Sequence, residues 1–244
     1  MINLTENFGN IRLSKKQKTK KVQEVFDDVA QKYDLMNDIM SLGLHRLWKT
    51  RMIELINLQK NNKVLDIGSG TGDIGLKIAN NDKKVKVYLC DLNLNMLNYG
   101  KNNRDKSNKI NWINLNAEAL PFENNYFDKY LISFCLRNVT NIEKALEESY
   151  RVLAYGGEFF CLEFSDLESP IFEKFYNLYK NKFIPLFGKL ITKKEYAYRY
   201  LSQSIDKFPN KKKLEKKLYD IGYKKVNYYN LFNGIVTIHK CWKI

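Results

Sequence analysis

The sequence predicts one α/β domain built on a mostly parallel β-sheet, and three observations lead to this prediction. Residues 63–79 have the pattern of a buried strand, a glycine-rich turn and a helix. Strand-like and helix-like segments then alternate as far as residue 165, which is typical of parallel strands joined by crossover helices. Finally, Asn233-Gly234 lies between two strand-like segments, 224–231 and 235–242, and favours a tight turn and an antiparallel last strand.

Composition limits the class of protein. The chain has 244 residues, of which 44% are hydrophobic, enough for the core of one large domain. No apolar run approaches the ~18 residues of a membrane span, and the N-terminus lacks a signal pattern. Acidic residues follow the early lysines too closely for a transit peptide, so we expect a bacterial cytoplasmic protein. The four cysteines are scattered, so we expect reduced thiols and no metal site.

The formal net charge of +14 comes almost entirely from lysine. Three interpretations stay open: drift in composition, nucleic-acid binding, or attraction to an anionic membrane surface. Nucleic-acid sites usually interleave arginine and aromatic residues on one face. The lysines here are dispersed, except in 15–21 and 211–217, so we expect no nucleic-acid partner.

The other segments follow in order. Residues 1–13 look irregular, and two helices, 14–32 and 42–58, are separated by an Asn- and Asp-containing break at 33–41. Further strands are predicted at 85–90, 110–115, 130–134 and 158–164. A helix over 142–153 is expected to stop at Tyr155-Gly156-Gly157, and a basic helix covers 211–219.

Two ligands compete for the glycine-rich turn. Residues 70–75 match the dinucleotide fingerprint G-x-G-x-x-G, and Asp91 follows about 20 residues later. However, Asp66 and Asp73 flank the turn and would repel a pyrophosphate, whereas they suit a ligand that carries an ammonium and a sulfonium. The pattern Asp66-x-Gly68-x-Gly70-x-Gly72 therefore resembles the first motif of the S-adenosylmethionine (SAM) methyltransferases. Gly68 and Gly70 would let the backbone approach the ligand closely.

Polar residues follow the next predicted strands, where active groups of open α/β sheets gather. Asp91 ends the second strand and could accept both hydroxyls of a ribose. Asn116 and the amide of Ala117 follow the third strand and are candidates for reading an adenine. Arg137 follows the fourth strand, beside Asn138, and could hold a polar or anionic oxygen.

Several segments together resemble one family, the ubiquinone/menaquinone biosynthesis C-methyltransferases, which methylate the ring of a polyprenylated benzoquinol or naphthoquinol. The resemblance runs from about residue 8 to the C-terminus and keeps the order and spacing of its motifs. The matching segments are 25–30, 32–38, 45–49, 116–122, 133–140, 198–201 and 228–231.

The resemblance implies a class I methyltransferase (Rossmann-like) fold with a mostly parallel seven-stranded sheet, an antiparallel last strand, N-terminal helices and a helical lid after the fifth strand. We divide the single domain 1–244 accordingly into an N-terminal helical cover (1–60), a cofactor-binding core (61–165), a helical lid (166–220) and a terminal strand pair (221–244). The aromatic stretch 171–190 of the lid either fills its own core or covers an apolar substrate.

The resemblance also implies SAM as the methyl donor and no metal. Its donor contacts fall on Thr71, Asp91, Asn116 with Ala117, and Ser133. Two positions depart from the family's usual glycine: Ser69, in the turn, and Cys135. The side chain of Cys135 would narrow the substrate pocket or tune which quinol fits.

The expected reaction is an in-line displacement at the sulfonium methyl by a ring carbon, helped by a group that favours the phenolate. Arg137 is the first choice, acting directly or through a held water; His45, Asp34 and Tyr200 are weaker candidates for the base. We expect a polyprenylated quinol substrate, taken from an anionic surface at the inner membrane or from a quinone-biosynthesis complex. A homodimer stays open.

Two alternatives stay open at this stage. An RNA methyltransferase is favoured by the charge, but residues 133–136 do not form its N/D-P-P-Y/F motif. A non-catalytic methyltransferase-like scaffold subunit is the other, although the intact glycine turn, Asp91 and Arg137 argue against it.

Overall fold

The computed structural model describes residues 5–8, 11–29, 33–80, 84–106, 110–169, 174, 176, 178, 179 and 195–244. The strands in chain order are β1 (Thr5–Phe8), β2 (Ile11–Ser14), β3 (Lys63–Ile67), β4 (Lys86–Asp91), β5 (Asn111–Asn114), β6 (Phe127–Ser133), β7 (Leu153–Phe164), β8 (Lys224–Leu231) and β9 (Val236–Trp242). The helices are α1 (Lys15–Val29), α2 (Tyr33–Ser41), α3 (His45–Leu55), α4 (Asp73–Ala79), α5 (Leu94–Asn103), α6 (Ile142–Val152), α7 (Glu195–Lys207) and α8 (Lys211–Ile221).

Seven strands form one sheet in the order β5-β4-β3-β6-β7-β9-β8. β3 pairs in parallel with β4 and β6, and the parallel pairing continues to β5 on one side and β7 on the other. β9 is antiparallel to both of its neighbours, β7 and β8. The predicted seven-stranded, mostly parallel sheet with an antiparallel last strand is therefore confirmed.

Two N-terminal segments differ from the expectation. Within residues 1–13, expected to be irregular, the described residues 5–8 and 11–13 belong to two antiparallel strands, β1 and β2, in which Phe8 pairs with Ile11. Residues 33–41, expected to be a break, form α2. Asn and Asp are weak helix formers, but Met36 and Met40 of α2 are buried in a hydrophobic cluster, so tertiary packing outweighs local propensity.

The predicted helix stop at Tyr155-Gly156-Gly157 is displaced. α6 ends at Val152 and β7 begins at Leu153, so both glycines lie inside the strand. Gly156 has a φ of +81°, and the pairing of β6 with β7 shifts register between Phe127 and Lys129. The glycines therefore accommodate an irregularity in the strand instead of ending a helix.

The two faces of the sheet carry separate hydrophobic cores, because alternate residues of each strand point to opposite faces. On one face, Leu146 of α6 and Leu214 and Leu218 of α8 pack against the sheet. On the other face, α3 and α4 contribute Trp48, Met52, Ile74 and Ile78. α8, which lies within the segment expected to be a lid, thus packs on the body of the sheet.

A third hydrophobic cluster joins the N-terminal helices to α7. It contains Val25 of α1, Met36 and Met40 of α2, and Tyr198, Tyr200 and Leu201 of α7. The aromatic lid stretch 171–190 lies outside the described residues, apart from 174, 176, 178 and 179. Of these, Tyr179 donates its hydroxyl to the backbone carbonyl of Ile39 in α2. No helix in the described ranges combines the length and apolar character that crossing a bilayer would need.

Candidate active site

The carboxyl ends of β3, β4 and β6 form the edge of the sheet where ligands bind in open α/β folds. Two cavities lie at this edge, and Tyr33, Gly68 and Phe134 line both. Each of the seven residues predicted to bind the cofactor lines one or both. Gly68, Gly70, Asp91, Asn116 and Ala117 line the larger cavity, and Gly68, Thr71 and Ser133 line the smaller.

Beside the cavities, the glycine turn that follows β3 is hydrogen-bonded to the end of β4. The backbone N–H of Gly70 donates to Oδ2 of Asp91, at 2.8 Å, at the end of β4. Gly68 has a φ of +64°, and a Cβ there would collide with the side chain of Cys135. Gly68 is therefore required both by its backbone conformation and by the close approach of Cys135.

The larger cavity has an empty volume of about 800 Å³, including its mouth. Asp91 is held in place at its wall, because its other oxygen, Oδ1, accepts the backbone N–H of Asn93 at 2.8 Å. Opposite the strands, α1 covers the cavity with Val22 and Phe26, among others. In the sequence these two residues belong to the apolar face of a helix, and nothing in their spacing distinguishes cavity lining from core.

The smaller cavity has an empty volume of about 330 Å³ and is lined by several polar side chains. The hydroxyls of Ser69 and Ser133 are buried and have no hydrogen-bond partner among the described residues. A buried polar group without a partner costs about 1–3 kcal/mol. The two hydroxyls therefore favour a polar ligand in this cavity.

A cluster of ion pairs holds the N-terminal cover to the glycine turn. Oδ2 of Asp73 lies 2.8 Å from Nζ of Lys49, and its Oδ1 pairs with Arg104. Arg104 also donates to Oγ1 of Thr71 at 3.0 Å and pairs with Asp34 of α2. Burial alone would raise the pKa of Asp73, but the two cations outweigh it and hold the pKa far below its usual range.

This cluster corrects one premise of the sequence argument, in which Asp66 and Asp73 both face a cationic ligand. Asp73 is already paired with two cations. Asp66 accepts only the backbone N–H of Gly75, at 3.2 Å, among the hydrogen bonds of the described residues. Burial raises the pKa of Asp66 to about 7. Of the two carboxylates, Asp66 is thus the one with capacity left for a ligand cation.

Arg137 lies in the short 3₁₀ helix Leu136–Asn138 and is buried in an ion pair. Its Nη1 lies 2.9 Å and 3.1 Å from the two carboxylate oxygens of Glu163, and Nε donates to Ser204 at 3.2 Å. Arg137 lines neither the larger nor the smaller of these two cavities. It lines a third cavity of about 840 Å³, together with Tyr200 and Lys207.

The weaker candidates for the base are placed differently. His45 lines none of these three cavities. Asp34 is paired with Arg104. Tyr200 donates its hydroxyl to Oδ1 of Asn138 at 3.1 Å, and burial raises its pKa well above the usual range. A phenolate is the form of Tyr200 that could accept a proton, and this environment disfavours it.

Lys49 and Arg104 are site residues that the sequence argument missed. Lys49 falls in the segment 45–49 that carries the family resemblance, but the resemblance implies no role for it. Arg104 caps the C-terminus of α5 and belongs to no recognisable motif. Only the tertiary structure brings Arg104 to Thr71 and Asp73.

The four cysteines are free thiols. Burial raises the pKa of Cys90, Cys135, Cys161 and Cys241 above the usual range of a thiol. The thiolate is the nucleophilic form, so none of them has the environment of a reactive cysteine. Within the described ranges, no group of three or more His, Cys, Asp or Glu side chains is arranged to hold a metal ion.

Comparisons with solved structures identify the fold. The chain is similar to a SAM-dependent methyltransferase from Aquifex aeolicus, with a TM-score of 0.60 over 86% of this chain and 97% of that one. It is also similar to the [4+2]-cyclase SpnF, with a TM-score of 0.66 over 92% of this chain and 96% of that one. The sequence identities are 16% and 14%, so these similarities establish the class I SAM methyltransferase fold alone.

Comparisons of sequence identify the family. The ubiE/COQ5 methyltransferase family profile matches residues 14–243. A ubiquinone/menaquinone biosynthesis C-methyltransferase UbiE from Francisella tularensis subsp. novicida is 44% identical, over 99% of this chain and 98% of the relative. A mitochondrial 2-methoxy-6-polyprenyl-1,4-benzoquinol methylase from Oryza sativa subsp. japonica is 40% identical, over 98% of this chain and 88% of the relative. These matches show that the chain belongs to the ubiE/COQ5 methyltransferase family and is a SAM-dependent C-methyltransferase.

Proposed function

We propose that the chain transfers the methyl group of SAM to a ring carbon of a polyprenylated quinol, either a benzoquinol of the ubiquinone pathway or demethylmenaquinol. The observation that carries this proposal is the near-complete alignment with a UbiE enzyme at 44% identity. The plant relative, named as a benzoquinol methylase, supports the benzoquinol ring, and the UbiE relative supports both ring types.

The larger and the smaller cavity at the edge of the sheet, called the donor-site cavities from here on, fit SAM. In this proposal, Asp91 accepts the ribose hydroxyls, and Asn116 and Ala117 lie beside the adenine in the larger cavity. The amino-acid end occupies the smaller cavity, where the hydroxyls of Ser69 and Ser133 lack partners among the described residues. SAM supplies an electrophilic methyl group on its sulfonium. The residues of the chain bind and orient it, so much of the catalysis comes from positioning.

The ring carbon attacks best when the neighbouring phenol has lost its proton. We assign to Arg137 the stabilisation of the quinolate oxygen, directly or through a held water. Its guanidinium is always charged, so it acts as a cation and not as the base. The ion pair with Glu163 fixes the direction of the guanidinium, and a cation held in one direction suits the stabilisation of one oxygen.

The polyprenyl tail is too apolar to be collected from water, so we propose that the chain takes its substrate at an anionic membrane surface, on the cytoplasmic side of a bacterial inner membrane. The net charge of +14 supports this surface. Co-sedimentation tests it: phosphatidylglycerol-containing vesicles should retain the protein and phosphatidylcholine vesicles should not. Equal recovery from both supernatants would contradict it. A quinone-biosynthesis complex and a homodimer are further proposals for its partners.

The function is tested in a bacterial strain that lacks its own ring C-methyltransferase. Mass spectrometry of the quinones should show that the gene depletes a demethyl-quinone and produces a species one methyl group heavier. The ring type of that species names the substrate. The matched control is Asp91→Ala, which removes the carboxylate proposed for the ribose and should leave the demethyl-quinone unchanged. If the demethyl-quinone persists while the purified protein still binds SAM, the proposal of a quinol as the methyl acceptor is contradicted. Other phenols or RNA would then be the acceptors to test.

A further inference from the structure

Lys49 lies in the wall of the smaller donor-site cavity, although it belongs to the N-terminal cover and not to the glycine turn. Its side chain is only 8% exposed. We propose that Lys49 binds the α-carboxylate of the methionine end of SAM. This inference rests on SAM as the donor and does not depend on the quinol as the acceptor.

The smaller donor-site cavity offers opposite charges for a zwitterion. Lys49 supplies a cation, and Asp66 supplies a carboxylate with capacity for a further partner. The methionine end of SAM carries one carboxylate and one ammonium. The orientation with the carboxylate toward Lys49 and the ammonium toward Asp66 pairs both charges, whereas the reverse orientation places like charges together.

Lys49 is not essential to neutralise Asp73, with which it is paired. Asp73 also pairs with Arg104, so this carboxylate keeps a cation when Lys49 turns part of its hydrogen-bonding capacity to a ligand. The ammonium of a lysine has three donors, and Nζ of Lys49 donates to Oδ2 of Asp73 at 2.8 Å. Arg104 is not the better candidate, because it does not line the cavity and already contacts Thr71, Asp73 and Asp34.

Ser69 and Ser133 also support an anionic group at this place. Their hydroxyls line the same cavity as Lys49 and have no hydrogen-bond partner among the described residues. A serine hydroxyl can donate to a carboxylate oxygen. Both hydroxyls line one cavity with the buried ammonium, so all three groups can donate to the same anionic group, and this observation is independent of the ion pairs.

The test compares two ligands that differ by one carboxylate: SAM and decarboxylated SAM, which keeps the sulfonium and the amine. Calorimetry on the whole chain should show that the wild type prefers SAM. In Lys49→Met, SAM affinity should fall about 10- to 100-fold, the range of a lost charge-assisted hydrogen bond, while decarboxylated SAM should bind as in the wild type. Arg51→Met is the matched control, because Arg51 is an exposed cation on the same helix; it should change neither affinity.

Three results would overturn the inference. The first is equal binding of both ligands by the wild type, and the second is unchanged SAM binding by Lys49→Met. The third is an equal loss of affinity for both ligands in Lys49→Met, which would show that Lys49 only supports Asp73. Thermal unfolding checks that Lys49→Met folds. The comparison of the two ligands on the wild type tests the inference even if the variant does not fold. If the wild type bound neither ligand, SAM itself would be excluded as the donor, which is a different failure from the failure of the quinol assay.

Discussion

The guanidinium of Arg137 faces both carboxylate oxygens of Glu163, and both side chains are almost completely buried, with 5% and 2% of their surfaces exposed. Glu163 also accepts the backbone N–H groups of Arg137 and Phe164, at 3.3 Å and 3.1 Å. The residue proposed for catalysis is thus also part of the structural framework at the end of β7. A single substitution of Arg137 therefore cannot separate chemistry from stability.

Arg137→Met leaves the carboxylate of Glu163 buried without its cation, so we expect the free energy of unfolding to fall by about 3–5 kcal/mol. The double variant Arg137→Met/Glu163→Gln removes both charges and should recover much of this loss. Urea denaturation measures both. If Arg137 stabilises the quinolate, the double variant should bind SAM but turn over slowly. Near-normal turnover of a stable double variant would remove Arg137 from the mechanism.

Asp66 gives the ligand-free protein a characteristic dependence on pH. Burial raises its pKa from 3.8 to about 7, so the folded chain holds the proton more tightly than the unfolded chain does. The stabilisation is complete below pH 4 and is lost as the pH rises through 7. Relative to Asp66→Asn, the wild type should lose about 4 kcal/mol between pH 4 and 8, at ~1.36 kcal/mol per pKa unit.

Urea denaturation at several pH values measures this difference. Other titrating groups, such as His239, whose pKa is lowered to about 4 by burial, act in both proteins and cancel in the comparison. Parallel pH profiles for the wild type and Asp66→Asn would show that Asp66 has an ordinary pKa.

Arg104 connects α2 to the glycine turn, since it contacts Asp34, Asp73 and Thr71. Arg104→Met should lower the free energy of unfolding by about 1–3 kcal/mol and weaken SAM binding, because α2 then loses its ion-pair link to the turn and only the Lys49–Asp73 pair of this cluster still joins the cover to it. Lys101→Met, an exposed cation on the same helix, is the control. Equal stability and equal SAM affinity in both variants would show that the link has no energetic role.

Iodoacetamide at pH 8 should label the folded protein slowly at all four cysteines, and unfolding in urea should make all four react. The reason is that burial raises the pKa of each thiol, and only the thiolate reacts. Peptide mass spectrometry assigns the labelled positions. Rapid labelling of Cys135 in the folded protein would identify it as a reactive thiol in the donor site.

Local patterns determined a large part of this structure. The strand, glycine turn and helix at 63–79, the alternation of strands and helices, and the hairpin at Asn233-Gly234 depend on neighbouring residues, so the sequence predicts them directly. The same applies to the family, whose motifs at 45–49, 116–122 and 133–140 are short and contiguous. Parallel strands end at one edge, and this places Gly70, Asp91, Asn116 and Ser133 around the donor-site cavities.

Tertiary structure alone decided the rest. α2 forms although Asn and Asp disfavour it, because Met36 and Met40 find a hydrophobic cluster that includes residues more than 150 positions away. Arg104 reaches Asp73 and Asp34, and Lys49 reaches Asp73, across separations that no periodic pattern records. The carboxylates that flank the turn are recognisable in the sequence. Their protonation and their remaining capacity for a ligand depend on burial and on distant cations, which exist only in the folded chain.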